Sequence, residues 1–229
     1  MNTKRSPVKS GERALREGLI ATAREMNALG INRGRSGNVS ARWRKASFDG
    51  YLITPSGMPY ASIAPADIVA MPIDGETDAA RGRRRPSSEW RFHRDIYRAR
   101  PDAAAIVHTH PPFATSLACL RRGIPAFHYM VAVAGGDDIR CAPYATFGTQ
   151  ELSDRAVAAL EERRACLLAN HGMIAIGASL AAALSLAVEV ESLAEMYWRA
   201  RQLGEPVLLP ASEMAVVIAR FRTYGQPEP

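Results

Sequence analysis

The chain has 229 residues, with 29 Lys+Arg against 23 Asp+Glu and a net charge of +6. Hydrophobic residues make up 47% and charged residues 23%, a balance that excludes a disordered chain, while 17 Gly and 15 Pro exclude a collagen-like or linker-dominated one. The length predicts one large domain, 10–229, behind a loose tail at 1–9.

In chain order, apolar residues at helical spacing (Leu15, Leu19, Ile20, Ala23, Met26, Leu29) predict an amphipathic helix from Glu12 to Leu29, stopped at Gly30. A Gly/Ser/Asn-rich loop from Arg33 to Ser40 leads into a short strand, Val39 to Trp43. Tyr51 to Thr54 reads as a strand ending in the turn Pro55-Ser56-Gly57. Ile68 to Ile73 reads as another, with Pro72 marking an edge or an end. Ser87-Ser88 cap a predicted helix from Glu89 to Arg98, closed by Pro101. An apolar strand from Ala104 to Thr109 runs into His110, and Pro111-Pro112 open a helix to Arg122. A helix from Glu151 to Arg163 follows, then strands at Ala165–Leu168 and Met173–Ile176 around Asn170-His171-Gly172. Helices from Ser179 to Gln202 and from Ala211 to Tyr224 complete the chain. There is no internal repeat. The pattern predicts an α/β fold: a single layered domain with a central mixed, largely antiparallel sheet flanked by helices.

Cys119, Cys141 and Cys166 are too few and too scattered for a disulfide scaffold, and none forms a CxxC pair. The polar, basic start shows no signal peptide, and the apolar stretch Ser179–Met196 carries Glu189, Glu191 and Glu195, unlike a membrane span. A soluble cytoplasmic protein with no membrane partner is expected. The pI of about 9.5 permits nucleic-acid binding. However, the one dense basic run, Arg81–Arg85, reads as a solvated loop, and no second nucleic-acid signature accompanies it. A mildly positive surface instead favours capture of a small anion.

His108-Thr109-His110 lies at a strand end, where period two sends both rings to one side, within reach of one cation. His171, at a break between two strands beside Gly172, adds a third imidazole. Three histidines with an open fourth position is the layout of a catalytic zinc. Glu89, at a helix start beside the Ser87 and Ser88 hydroxyls, reads either as a dipole-favoured acid or as a base next to a bound phosphate ester. His93, one turn on, fits a supporting or core role, and His128 a structural one. Ser36-Gly37-Asn38-Val39-Ser40 and Thr54-Pro55-Ser56-Gly57 offer neutral donors for an anion. There is no Walker motif and no GxGxxG.

These motifs, with Pro86-Ser87-Ser88-Glu89-Trp90-Arg91-Phe92-His93, Ile124–Met130, Cys141–Thr149 and Phe221–Gly225, resemble the class II aldolase/adducin family over nearly the whole chain, and within it the fuculose-phosphate branch. The resemblance implies a zinc ion held by His108, His110 and His171, with Glu89 as a fourth ligand that leaves to act as base. It implies a phosphate cradle of Gly37, Asn38, Ser56, Gly57, Ser87 and Ser88. Tyr129 from a neighbouring subunit would be the acid/base on the aldehyde oxygen, Phe147 and Tyr224 would line the aldehyde side, and the assembly would be a homotetramer. The implied activity is reversible cleavage of a ketose 1-phosphate, of the L-fuculose 1-phosphate type, to dihydroxyacetone phosphate and L-lactaldehyde or a similar aldehyde. Alternatives are cleavage of 5-deoxyribulose or 5-methylthioribulose 1-phosphate, and epimerase, dehydratase or decarboxylase chemistry of the same family. The pocket motifs hold no lysine for a Schiff base. A non-enzymatic, adducin-like scaffold is the remaining alternative, but it should have lost the metal ligands retained here.

Overall fold

The computed structural model describes residues 7–221. Helix α1 (Pro7–Ala28) packs on a sheet whose strands are β1 (Asn38–Lys45), β2 (Phe48–Ile53), β3 (Val69–Pro72), β4 (Ala105–Thr109), β5 (Cys141–Ala142), β6 (Ala165–Leu168) and β7 (Gly172–Gly177). The seven strands run in the order β3-β2-β1-β4-β7-β6-β5. Every pairing is antiparallel except β5 with β6. The fold is therefore α/β, with a mixed, largely antiparallel sheet covered by helices.

Alternation along the strands makes two cores. Val39, Ala41, Val107, Met173 and Ala175 face Leu19 and Met26 of α1, Leu117 of α3 (Pro112–Cys119) and Leu184 and Leu193 of α5 (Leu180–Leu203). On the opposite face Tyr51, Ile53, Ile106 and Ile174 meet Trp90, Phe92 and Ile96 of α2 (Trp90–Ala99) and Leu152 and Ala156 of α4 (Gln150–Ala159). The last helix, α6 (Ala211–Phe221), lies against a short 3-10 stretch at Tyr129–Ala134.

Local chemistry sets several helix ends. Thr149 Oγ1 accepts from Leu152 N at 3.2 Å and Ser179 Oγ from Ala182 N at 3.1 Å, capping α4 and α5. The N-terminus of α3 is capped across space: the Glu191 carboxylate on α5 accepts from Phe113 N and Ala114 N, each at 2.8 Å. One of the carboxylates that argued against a membrane span thus anchors the helix that follows His110. Among the described residues no helix is long and apolar enough to cross a membrane.

Several boundaries differ from expectation. Helix α1 begins at Pro7, inside the stretch read as a tail. Strand β1 starts at Asn38, within the expected loop, and runs to Lys45, where a two-residue turn, Ala46-Ser47, joins it to β2. Helix α3 stops at Cys119 and not at Arg122, because Arg121 enters the left-handed region at φ 56°. Helix α4 stops at Ala159 and not at Arg163, because Glu162 turns left-handed at φ 55° and Arg163 bonds Asp137 and Asp138. Arg81–Arg85 is not merely a solvated loop: Arg83 and Arg84 both reach the buried Asp67 carboxylate, at 2.9 and 2.8 Å. Tyr224 and the rest of the expected last helix lie outside the described residues.

Candidate metal centre

The centre of the sheet brings the imidazoles together. Antiparallel pairing sets Asn38 opposite His108 and Thr109 opposite Met173. His108 points to the α2 face, Thr109 to the other, where its hydroxyl bonds Ile31 O at 2.5 Å. His110 follows the strand end, and His171 sits in the turn between β6 and β7, after Asn170 in a left-handed conformation at φ 55°. The three ring centroids are mutually 4.9 Å apart, with interplanar angles of 75–78°. Their candidate ligand nitrogens lie within 4.8 Å of one another.

Glu89 completes the group. It is the N-cap of α2, but its side chain makes no cap hydrogen bond. Its Oε2 lies 3.0 Å from His108 Nε2 and its Oε1 3.2 Å from His171 Nε2. Burial opposes its ionisation, yet the His108 and His171 partners hold its carboxyl well below the usual range. Burial, reinforced by His108 and His171, lowers His110 to about 3.

The donor set fits a divalent transition metal. His108 Nδ1 donates to Met173 O at 2.9 Å, so in the neutral ring the Nε2 lone pair faces His110 Nε2 at 3.0 Å. Glu89 Oε1 is buried and accepts no hydrogen bond. Three imidazoles and one carboxylate oxygen, converging without enough protons to share, are ligands suited to a divalent transition metal.

Two glycines make the convergence possible. A Cβ on Gly172 would stand 2.6 Å from both His110 Cδ2 and Thr109 O. On Gly37 it would stand 2.6 Å from His108 O. Both positions need hydrogen there, whatever else they do.

The anion loops, separate in sequence, are laced to one another beside this centre. Thr54 N donates to Val39 O, Ser87 N to Thr54 O and Ser56 N to Arg85 O, each at 3.1 Å. Thr54 Oγ1 accepts from Val39 N at 3.1 Å. A cavity of about 280 Å³ opens here, lined by Ser36, Ser88, Glu89, His110, His171 and, on its apolar side, Tyr144, Ala145 and Phe147.

The placement of Asn38 differs from the sequence reading, and Arg35 near the site was not anticipated. The Asn38 amide is buried and bonded to Glu89 Oε2 at 3.0 Å and His93 Nε2 at 2.5 Å, not turned to the open cavity. Arg35, outside the neutral loops considered, bonds Gly57 O at 2.9 Å and brings a guanidinium to their edge. Tyr129 is half-exposed and away from this cavity, in a groove with His128 and α6, where its ring stacks on Phe221 at 6.4 Å. His128 Nδ1 accepts from Met130 N at 3.2 Å, a structural cap. His93 is fully buried, stacked on Phe92 at 4.7 Å, and burial, reinforced by His108, lowers it to about 3. Ser40, read in the sequence as part of an anion loop, instead bonds His93 and Tyr97, while Tyr97 and the cavity residue Tyr144 were given no role by the sequence. Only the four-residue spacing of Glu89, His93 and Tyr97 could have marked Tyr97.

Fold and site together bring a cluster of three histidines and a buried carboxylate, able to hold a metal ion, beside three hydrogen-bonded loops on the central sheet. The family described as Class II Aldolase and Adducin N-terminal domain matches residues 17–198, and the chain belongs to it. The 5-methylthioribulose-1-phosphate/5-deoxyribulose-1-phosphate aldolase of Rhodospirillum rubrum is 60% identical over 93% of each chain. The L-fuculose phosphate aldolase of Escherichia coli K12 is 50% identical over 90% of this chain and 94% of its own. A solved L-fuculose 1-phosphate aldolase superposes with a TM-score of 0.86 at 43% identity, covering 91% of this chain and 96% of that one. Such relatives are aldolases, and the chain is an enzyme of that lyase class.

Proposed function

We propose that the chain reversibly cleaves a ketose 1-phosphate to dihydroxyacetone phosphate and an aldehyde. The observation that carries this reading is the convergence of His108, His110, His171 and Glu89 on a cavity beside the Ser36–Asn38, Ser56-Gly57 and Ser87-Ser88 loops. A zinc ion held by the three imidazoles, with Glu89 as fourth donor before substrate arrives, supplies Lewis-acid stabilisation of the charge that cleavage leaves on the ketone fragment.

The protein's own groups do the rest. Backbone N–H groups and hydroxyls of the laced loops hold the phosphate, with Arg35 adding charge at their edge. In cleavage the C–C bond breaks and its electron pair passes to the dihydroxyacetone phosphate carbon. In condensation the Glu89 carboxylate removes a proton from that carbon; in cleavage Glu89, having taken a proton from solvent, delivers it there, which balances the hydroxyl proton lost from the substrate. The hydroxyl proton on the departing aldehyde carbon goes to Tyr129 of a second copy, which makes the working form a homo-oligomer, a tetramer in our reading. Tyr144, Ala145 and Phe147 give the aldehyde an apolar wall. Among the described residues no lysine lines the cavity, so none there offers an amine for a Schiff base.

The apolar wall and the 60% identity to the R. rubrum enzyme favour a 5-deoxy or 5-methylthio pentulose 1-phosphate as substrate. The 50% identity to the E. coli enzyme supports L-fuculose 1-phosphate as the second reading. Steady-state assays that trap dihydroxyacetone phosphate from 5-deoxyribulose, 5-methylthioribulose and L-fuculose 1-phosphates test both. We expect the highest kcat/KM for the first two. The reverse ranking selects the second reading, and product from none of them contradicts both.

A further inference from the structure

Along the start of α2, Glu89, His93 and Tyr97 fall four residues apart on one stripe; along β1, Asn38 and Ser40 fall two apart on one face. The two steps nearly match: four helical residues advance about 6 Å and two strand residues about 6.8 Å. The stripes therefore interdigitate. Asn38 Nδ2 lies 3.0 Å from Glu89 Oε2, Asn38 Oδ1 2.5 Å from His93 Nε2, and Ser40 Oγ 2.7 Å from His93 Nδ1 and 2.8 Å from the Tyr97 hydroxyl. All five side chains are buried.

Chemistry fixes the direction of every link. A carboxylate oxygen only accepts, so Asn38 turns its NH₂ to Glu89 and its carbonyl oxygen to His93. His93 must then carry its proton on Nε2, which leaves the Nδ1 lone pair for the Ser40 hydroxyl. Ser40, its proton engaged, accepts from the Tyr97 phenol. With no water to compete in this interior, a reversed link would leave two acceptors facing each other.

We propose that His93, as the Nε2–H tautomer, is a positioning residue that locks the Asn38 amide so that an N–H, and never the carbonyl, faces the Glu89 carboxylate. Tyr97 and Ser40 set the tautomer, His93 sets the amide, and the amide sets the orientation of the carboxylate oxygen beside His108. The functional side of this proposal rests on Glu89 being the base; the direction of the chain does not.

Long-range ¹H–¹⁵N spectra of the ¹⁵N-histidine protein test the direction, with the His93 signals assigned by their loss in His93→Gln. The expected result is a protonated Nε2 and a lone-pair Nδ1; an Nδ1–H tautomer overturns the proposal. Kinetics test the positioning. A glutamine at 93 can donate to Asn38 and accept from Ser40, whereas a leucine can do neither. We expect His93→Leu to lower kcat roughly 10- to 100-fold with KM little changed, and His93→Gln to keep most of it. Equal losses in two folded variants overturn the positioning role. Should the leucine variant fail to fold, the tautomer of the unaltered protein still decides. An unaltered protein that cleaves no ketose 1-phosphate overturns the functional reading, and the tautomer then tests the chain of hydrogen bonds by itself.

Discussion

A methyl group has no room at Gly172. Built there, it stands 2.6 Å from the His110 ring and 2.6 Å from Thr109 O, so Gly172→Ala must push the ring or the strand aside. Circular dichroism tells whether the fold survives that shift. Bound zinc should fall well below that of the unaltered protein, as metal analysis beside circular dichroism will show; full zinc in a folded variant contradicts the placement of His110. Glu89→Gln keeps the shape and the acceptor oxygen but removes the base. It should lower kcat by roughly 10²- to 10⁴-fold with KM nearly unchanged. A rise in KM alone would mean that Glu89 binds substrate and does not transfer a proton. At this scale the three imidazoles were legible, because period two sends His108 and His110 to one side and a strand break marks His171. Asn38 was not: its sequence context reads as an anion loop, and only α2 lying across β1 turns its amide to Glu89 and His93. Arg35 was missed for the same kind of reason, since nothing in the sequence brings its side chain to Gly57.

Among the elements, the segment from Arg81 to Ser87 is held by a buried acid. Asp67 accepts from Ala64 N at 2.9 Å and pairs with Arg83 and Arg84, and the Arg84 hydrogen bond foremost keeps its carboxyl below the ordinary value. A carboxyl depressed in the folded state adds stability above its unfolded pKa of about 3.9, and that stability is lost as pH falls through the folded value. Asp67→Asn should therefore lower Tm at pH 7, and the gap to the unaltered protein should close below about pH 4. A gap that stays constant to low pH contradicts the ion-pair account. Long periodic elements were legible: α1, α4 and α5 by their apolar spacing, β4 and β6 as apolar runs. The β1–β2 hairpin was hidden because Ala46-Ser47 carries none of the Asn-Gly or Asp-Gly signal of a tight turn, and Asp49-Gly50 interrupts the strand pattern. Strand β5, two residues long, is too short for any period to register.

For the whole molecule, the sheet order β3-β2-β1-β4-β7-β6-β5 places β4, with His108 in it and His110 just past its end, at the middle strand, between β1 carrying Asn38 and β7 beside His171. Sequence periodicity proposes the strands but not their neighbours, so the class of fold was legible and this juxtaposition was not. Tyr129 lies in a groove apart from the cavity, so our reading needs a second copy to bring it there. Mixing subunits tests this. Tyr129→Phe and His171→Ala should each be inactive alone, yet their co-expressed mixture should regain activity, because some sites combine an intact tyrosine with an intact metal centre. A mixture as inactive as its parents contradicts the contribution of Tyr129 across an interface.

The central claim is that this metal centre and Glu89 move a proton on a phosphate-bearing ketone. It can be measured without knowing the aldehyde. Zinc-loaded protein in D₂O is mixed with dihydroxyacetone phosphate alone, and the loss of one hydroxymethyl hydrogen is followed by ¹H NMR. Exchange is expected with the unaltered protein and with Tyr129→Phe, and none with Glu89→Gln or after chelation. No exchange by the zinc-loaded protein, or equal exchange by Glu89→Gln, would contradict it.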